Sequence, residues 1–132
     1  MKQLILIQTD SNDLITPQGI DLSDSFILDW KKGDSEFEIE IELSIWPESP
    51  YYSKPLPNEH TCYKKGKINF YGLKEILGFV ALESVSPNID PDGSKDWECI
   101  YDFRKENERF KFRTEFTNIE ISCSGLEIEI IE

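Results

Sequence analysis

Glu36-Phe37-Glu38-Ile39-Glu40-Ile41-Glu42-Leu43-Ser44-Ile45-Trp46 alternates polar and apolar residues without a break. Phe37, Ile39, Ile41, Leu43 and Ile45 fall on one face, and Glu36, Glu38, Glu40, Glu42 and Ser44 on the other. A period of two belongs to a half-buried antiparallel strand and not to a helix.

The same period recurs downstream. It sets Trp97, Cys99, Tyr101 and Phe103 against Glu98, Ile100 and Asp102, and Phe110, Phe112, Thr114 and Phe116 against Arg109, Lys111, Arg113 and Glu115. Ile119, Ile121 and Cys123 alternate with Glu120 and Ser122, and Leu126, Ile128 and Ile130 with Glu127 and Glu129. Less regular strands are expected at Lys2–Thr9, Ser25–Trp30, Thr61–Phe70 and Phe79–Ser86.

Turn-like residues separate these runs: Lys31–Ser35, Lys105–Glu108, and the short Thr117-Asn118 and Ser124-Gly125, which read as tight hairpins. Pro47–Glu59 holds four prolines around Tyr51 and Tyr52 and reads as a loop, as do Pro87–Asp96 and Asp10–Leu22. Tyr71–Gly78 fits either a helical turn or an extended connector. The expected fold is mainly β: one antiparallel domain over residues 1–132, a meander folded as a sandwich or partly open barrel. At most one short helix is expected, near 71–78, with 1–23 a peripheral strand and loop. Seven to nine strands must curl or split into packed sheets.

Composition bounds the function. The 132 residues carry 14 Lys and Arg against 26 Asp and Glu, a net charge of −12. Residues 1–66 hold 6 basic and 12 acidic residues and 67–132 hold 8 and 14, so no basic half is hidden. Phosphate binding needs clustered Lys and Arg, which argues against nucleic acid as a direct ligand. Anionic membranes would repel such a surface. The 12% aromatic content argues for a folded core. Leu4–Ile7 is too short for a signal peptide's apolar stretch or a spanning helix, so a cytoplasmic location is expected. Three widely spaced cysteines, Cys62, Cys99 and Cys123, fit reduced core residues better than a disulfide framework.

Catalytic and metal-binding patterns are weak. His60, the one histidine, lies two residues from Cys62, which suggests a dyad or half a metal site. Zinc needs about four ligands, and no second cluster supplies them. Asp90–Asp96 is Asp- and Gly-rich, but its Gly93 falls at the fourth position and not the sixth of a calcium loop. No phosphate cradle or nucleophile elbow is present. No cofactor, no metal and no enzymatic activity are expected.

Charge placement is the informative feature. Glu36, Glu38, Glu40 and Glu42 form a stripe at intervals of roughly 7 Å. Either it pairs with a neighbouring strand bearing Arg109, Lys111 and Arg113, or it faces outward to a basic partner. Glu48 and Glu59 flank the Pro-rich loop, whose Tyr51 and Tyr52 either anchor a partner or tuck under to cap the core. These eight residues are the candidate partner-binding set.

The order of features resembles small acidic β-rich immunity proteins of bacterial polymorphic and contact-dependent toxin systems. The resemblance rests on Asp24-Ser25-Phe26-Ile27, the Phe37–Ile45 strand, Ile68–Leu73, Phe110–Phe116 and Ile119–Ile128, and spans about residues 24–131. It implies a protein that binds and neutralises a cognate toxin without catalysis; the acidic surface in turn favours a basic partner, for example a nuclease. It transfers no site residues, because such proteins bind through diverse surfaces. The alternatives are a β-rich interaction or regulatory module with another protein partner, and a small-ligand-binding β-barrel. Both monomer and homodimer remain open, since long alternating strands can pair edge to edge.

Overall fold

The computed structural model describes residues 2–7, 19–57, 59 and 61–131, the first of these segments through its backbone. His60 and most of the expected 10–22 loop lie outside the described residues. The strands are β1 (Lys2–Ile7), β2 (Ile20–Lys32), β3 (Glu36–Ile45), β4 (Cys62–Tyr71), β5 (Glu75–Leu77), β6 (Asn88–Ile89), β7 (Lys95–Asp96), β8 (Tyr101–Glu106), β9 (Arg109–Arg113), β10 (Asn118–Ser122) and β11 (Gly125–Ile131). They form a five-stranded sheet in the order β1-β11-β4-β3-β2, a four-stranded sheet β5-β10-β9-β8, and the small hairpin β6-β7. All pairings are antiparallel.

Alternation decides which side of each sheet is buried. Phe37, Ile39, Ile41, Leu43 and Ile45 of β3 are fully buried, as are Ile68 and Phe70 of β4 and Ile128 and Ile130 of β11. Phe103, Phe110, Phe112, Ile119 and Ile121 of the second sheet join them in one core cluster. The two sheets therefore meet through their apolar faces, with Phe70 at the seam, its ring centroid 5.7–6.2 Å from those of Phe103, Phe110 and Phe112.

Two corners carry the chain between the sheets. After β4 the chain turns at Gly72, whose φ is +63°, and enters β5. After β10 it crosses to β11 at Ser124-Gly125, so these residues form a corner and not the expected hairpin. The corners brace each other: Ser124 N–H donates to the Tyr71 carbonyl at 3.0 Å, and Lys74 N–H to the Ser122 carbonyl at 2.8 Å.

Other expectations are corrected locally. Residues 71–78 are extended, because β5 finds backbone partners on β10 through Leu77, Ile76 and Glu75. The described helical turn instead spans Leu82–Ser84, inside the segment expected as a strand. There Leu82 is buried, and the Val80 carbonyl accepts from Trp30 Nε1 at 2.8 Å. β8 begins only at Tyr101, after Glu98 at φ +66°, and Ile100 is buried beside Cys99; Asp102, at φ +48°, breaks the register inside β8 between Tyr101 and Arg104. β9 ends at Arg113, where Thr114 Oγ1 accepts from the Phe116 and Thr117 amides and closes a turn. Part of the Pro87–Asp96 loop pairs as β6-β7.

β2 is longer than expected and bulges between Asp21 and Phe26. Ser25, fully buried, fills the gap in the ladder: its hydroxyl donates to the Asp21 carbonyl at 2.7 Å and accepts from Ser44 N–H at 2.9 Å. Replacing Ser25 by Ala leaves a buried N–H without an acceptor and should cost about 1–3 kcal/mol, read from the midpoint of urea denaturation.

Candidate functional site

The outward face of the five-stranded sheet is acidic. Glu36, Glu38, Glu40 and Glu42 lie opposite the buried residues of β3, so they point away from the core. In register beside them run Asp29 and Lys31 of β2, Lys65, Lys67 and Asn69 of β4, and Glu127 and Glu129 of β11. Seven carboxylates thus share these positions with three lysines. Lys67 Nζ lies 3.4 Å from Glu38 Oε1 across the strands.

The Arg109 strand is not the neighbour of this stripe. It sits in the other sheet, where Arg109 pairs with Glu75 at 2.7 Å, Lys111 with Glu120 at 3.3 Å and Arg113 with Asp102 at 3.1 Å. Arg104 and Lys111 also both reach Glu106, each at 3.5 Å. That face balances its own charge, whereas the outward face of the five-stranded sheet carries four more carboxylates than lysines, a third of the chain's surplus of twelve.

Further carboxylates act on the Glu42 end of the stripe. Burial first, then the negative charges of Glu59, Asp90 and Asp96, hold the Glu42 carboxyl above its usual range, with Lys65 opposing. Beside it, Asp24 accepts from Ser44 Oγ at 2.9 Å and from the Tyr63 hydroxyl at 3.4 Å. Burial and Asp24 together push the Tyr63 hydroxyl up to about 12. The Phe26 ring lies against Tyr63 with centroids 6.0 Å apart. Residues distant in sequence therefore build one negative surface with an aromatic floor.

Of the eight candidate residues, the structure places Glu36, Glu38, Glu40 and Glu42 on this face and brings Glu59 into the field at Glu42. Glu59 accepts from Leu56 N–H at 3.3 Å, which closes a small turn. Glu48 is exposed at the start of the Pro-rich loop. Tyr51 and Tyr52 are half-buried and pack against the core. The exposed apolar residues of this region are Trp46 and Leu56, at 45% and 62% exposure. Asp24, Asp29, Tyr63, Asp90 and Asp96 were not legible as site residues, since a bulge, a cross-strand partner and a separate hairpin bring them in.

Cys62 and Cys99 are buried, Cys123 is half-buried, and all three are free thiols. Burial raises the thiol pKa of Cys99 and of Cys123. In the Asp90–Asp96 segment, Ser94 Oγ donates to Asp92 at 2.6 Å and to Asp90 at 3.1 Å, the pattern of a self-contained turn. Among the described residues, no cluster of three or more His, Cys, Asp or Glu side chains is arranged to hold a metal ion. No helix among them is long and apolar enough to cross a membrane.

Glu42 gives the face a pH signature. A carboxyl whose pKa is raised on folding binds its proton more readily in the native state. Its stabilising contribution is complete below the ordinary value of 4.5 and is lost as pH rises through the raised value. Glu42→Gln should therefore be more stable than the parent at pH 7, and the difference should shrink toward pH 4. Urea midpoints across that range check it.

Comparison with known proteins finds no matching family model, no matching curated protein and no matching solved structure.

Proposed function

We propose that this chain is a binding protein that neutralises a cognate basic protein, a bacterial toxin such as a nuclease, in the manner of the immunity proteins it resembles. The observation that carries the reading is the outward face of the five-stranded sheet, where Asp29, Glu36, Glu38, Glu40, Glu42, Glu127 and Glu129 outnumber Lys31, Lys65 and Lys67. The carboxylates stand on paired strands of one sheet, so their backbone positions are set before a partner arrives, which lowers the ordering cost of association. A patch of one sign accelerates encounter with a patch of the other and disfavours wrong partners. An enzyme that cleaves nucleic acid presents Lys and Arg to phosphates, and an acidic sheet face is complementary to such a surface. The proposal assigns the chain no catalytic step.

The test is stoichiometric. A basic protein encoded beside this chain's gene is purified, and its activity is titrated with this chain. The reading expects loss of activity complete at one equivalent, with binding that weakens as salt rises. Full activity in the presence of excess chain contradicts it.

A further inference from the structure

A recess of about 230 Å³ opens between the β6-β7 hairpin, the segment before β8 and the turn after β9. Its walls include Asn88, Trp97, Glu98, Glu115 and Phe116. The side chains of Asn88, Trp97, Glu98 and Glu115 are each hydrogen-bonded within the fold. Trp97 Nε1 donates to the Val85 carbonyl at 3.0 Å. The Glu98 carboxylate accepts from Asn88 Nδ2, and the Glu115 carboxylate accepts from the Tyr101 hydroxyl at 2.7 Å. Phe116 packs on Trp30 with ring centroids 5.2 Å apart, which ties that wall to the core.

Neither Glu98 nor Glu115 has a Lys or Arg partner among the described residues. On the nearby four-stranded sheet, by contrast, Asp102, Glu106 and Glu120 each meet a cation. Two carboxylates without a Lys or Arg partner, lining the recess together with an indole and a phenyl ring, suit an organic cation: the acids supply charge and the rings supply cation–π attraction. A calcium ion would need six to eight oxygen ligands, which aromatic walls do not offer. The volume falls below the roughly 300–1,000 Å³ of pockets for drug-sized ligands, so it suits one side chain and not a cofactor. A planar guanidinium, more weakly hydrated than an ammonium and able to stack on rings, fits these walls best.

We infer that this recess receives an arginine side chain presented by the basic protein partner. The source of the arginine rests on the proposed function; the chemistry of the recess does not. The whole chain, labelled with ¹⁵N, is titrated with N-acetyl-arginine amide while the Trp97 indole N–H resonance is followed. A saturable shift is expected, absent with the neutral N-acetyl-citrulline amide. It should be about tenfold weaker in Glu98→Gln/Glu115→Gln, whose amides preserve the shape and whose remaining spectrum reports an intact fold. A shift that never saturates, that KCl at equal ionic strength reproduces, or that survives the double substitution overturns the assignment. Because this titration needs no partner, it fails or succeeds independently of the proposed function. With the partner in hand, the same double variant should bind it about tenfold more weakly, and unchanged affinity overturns the partner as the source.

Discussion

Phe70→Ala should destabilise the protein by about 3–5 kcal/mol, a large part of the roughly 5–15 kcal/mol that holds a domain of this kind together. Phe70 is fully buried and sits in the core cluster where the two sheets meet. It stacks on Phe37 within its own sheet at 5.9 Å and meets Phe103, Phe110 and Phe112 of the other. Deleting the ring leaves a cavity bordered by four further aromatics, held on β3, β8 and β9, so the site collapses poorly. Urea denaturation of the purified variant measures the loss. A change below about 1 kcal/mol would show that the sheets are held together elsewhere.

Gly66→Ala should also destabilise clearly, although it adds a single methyl group. Gly66 sits mid-strand in β4, opposite Ile41 on one side and Ile130 on the other. A Cβ there would lie 2.6 Å from the Glu129 carbonyl oxygen and 2.7 Å from Leu43 Cδ1. The carbonyl belongs to the backbone of β11 and cannot move without disturbing the ladder, while Leu43 is itself fully buried. Overpacking of this kind costs about 1–3 kcal/mol. Gly33→Ala is the matched control: its nearest neighbours lie 3.7 Å away and its φ is not positive, so the same change should be neutral or stabilise by about 0.4–1 kcal/mol. Comparing the two denaturation midpoints separates close approach of strands from a general effect of the added methyl.

The fold class was legible because alternation is a local signal. Phe37 to Ile45, Phe110 to Phe112, Ile119 to Ile121 and Leu126 to Ile130 all occupy the buried side that their period assigns them. Which strands become neighbours was not legible. Ser124-Gly125 has the composition of a hairpin, yet the residues on both sides are apolar toward the same core, and the chain satisfies them by changing sheets. The segment 97–102 misled because two non-glycine residues take left-handed conformations, which alternation does not reveal.

The site was half legible for the same reason. The four-Glu stripe is local, and its outward direction follows from the apolar residues between. Its setting depends on pairing: β4 supplies Lys65 and Lys67, while Arg109 and Arg113, one of the two alternatives for its neighbour, meet acids on the other sheet. Asp24 and Tyr63 meet only because β2 bulges around Ser25 and β4 runs past it.

The central claim is that the acidic face of the five-stranded sheet receives a basic partner. The most direct measurement is the association rate constant of that complex, followed across salt for two charge-reversed variants of equal net charge. Glu36→Lys/Glu40→Lys reverses two charges on the face without breaking the Glu38–Lys67 pair. Glu83→Lys/Glu108→Lys reverses two exposed charges outside that sheet. The account predicts that the first variant associates about tenfold more slowly at low salt, with a flattened salt dependence, while the second stays close to the parent. Equal rates for the two variants would mean that net charge alone steers the encounter, and would contradict the assignment of the binding surface to this sheet.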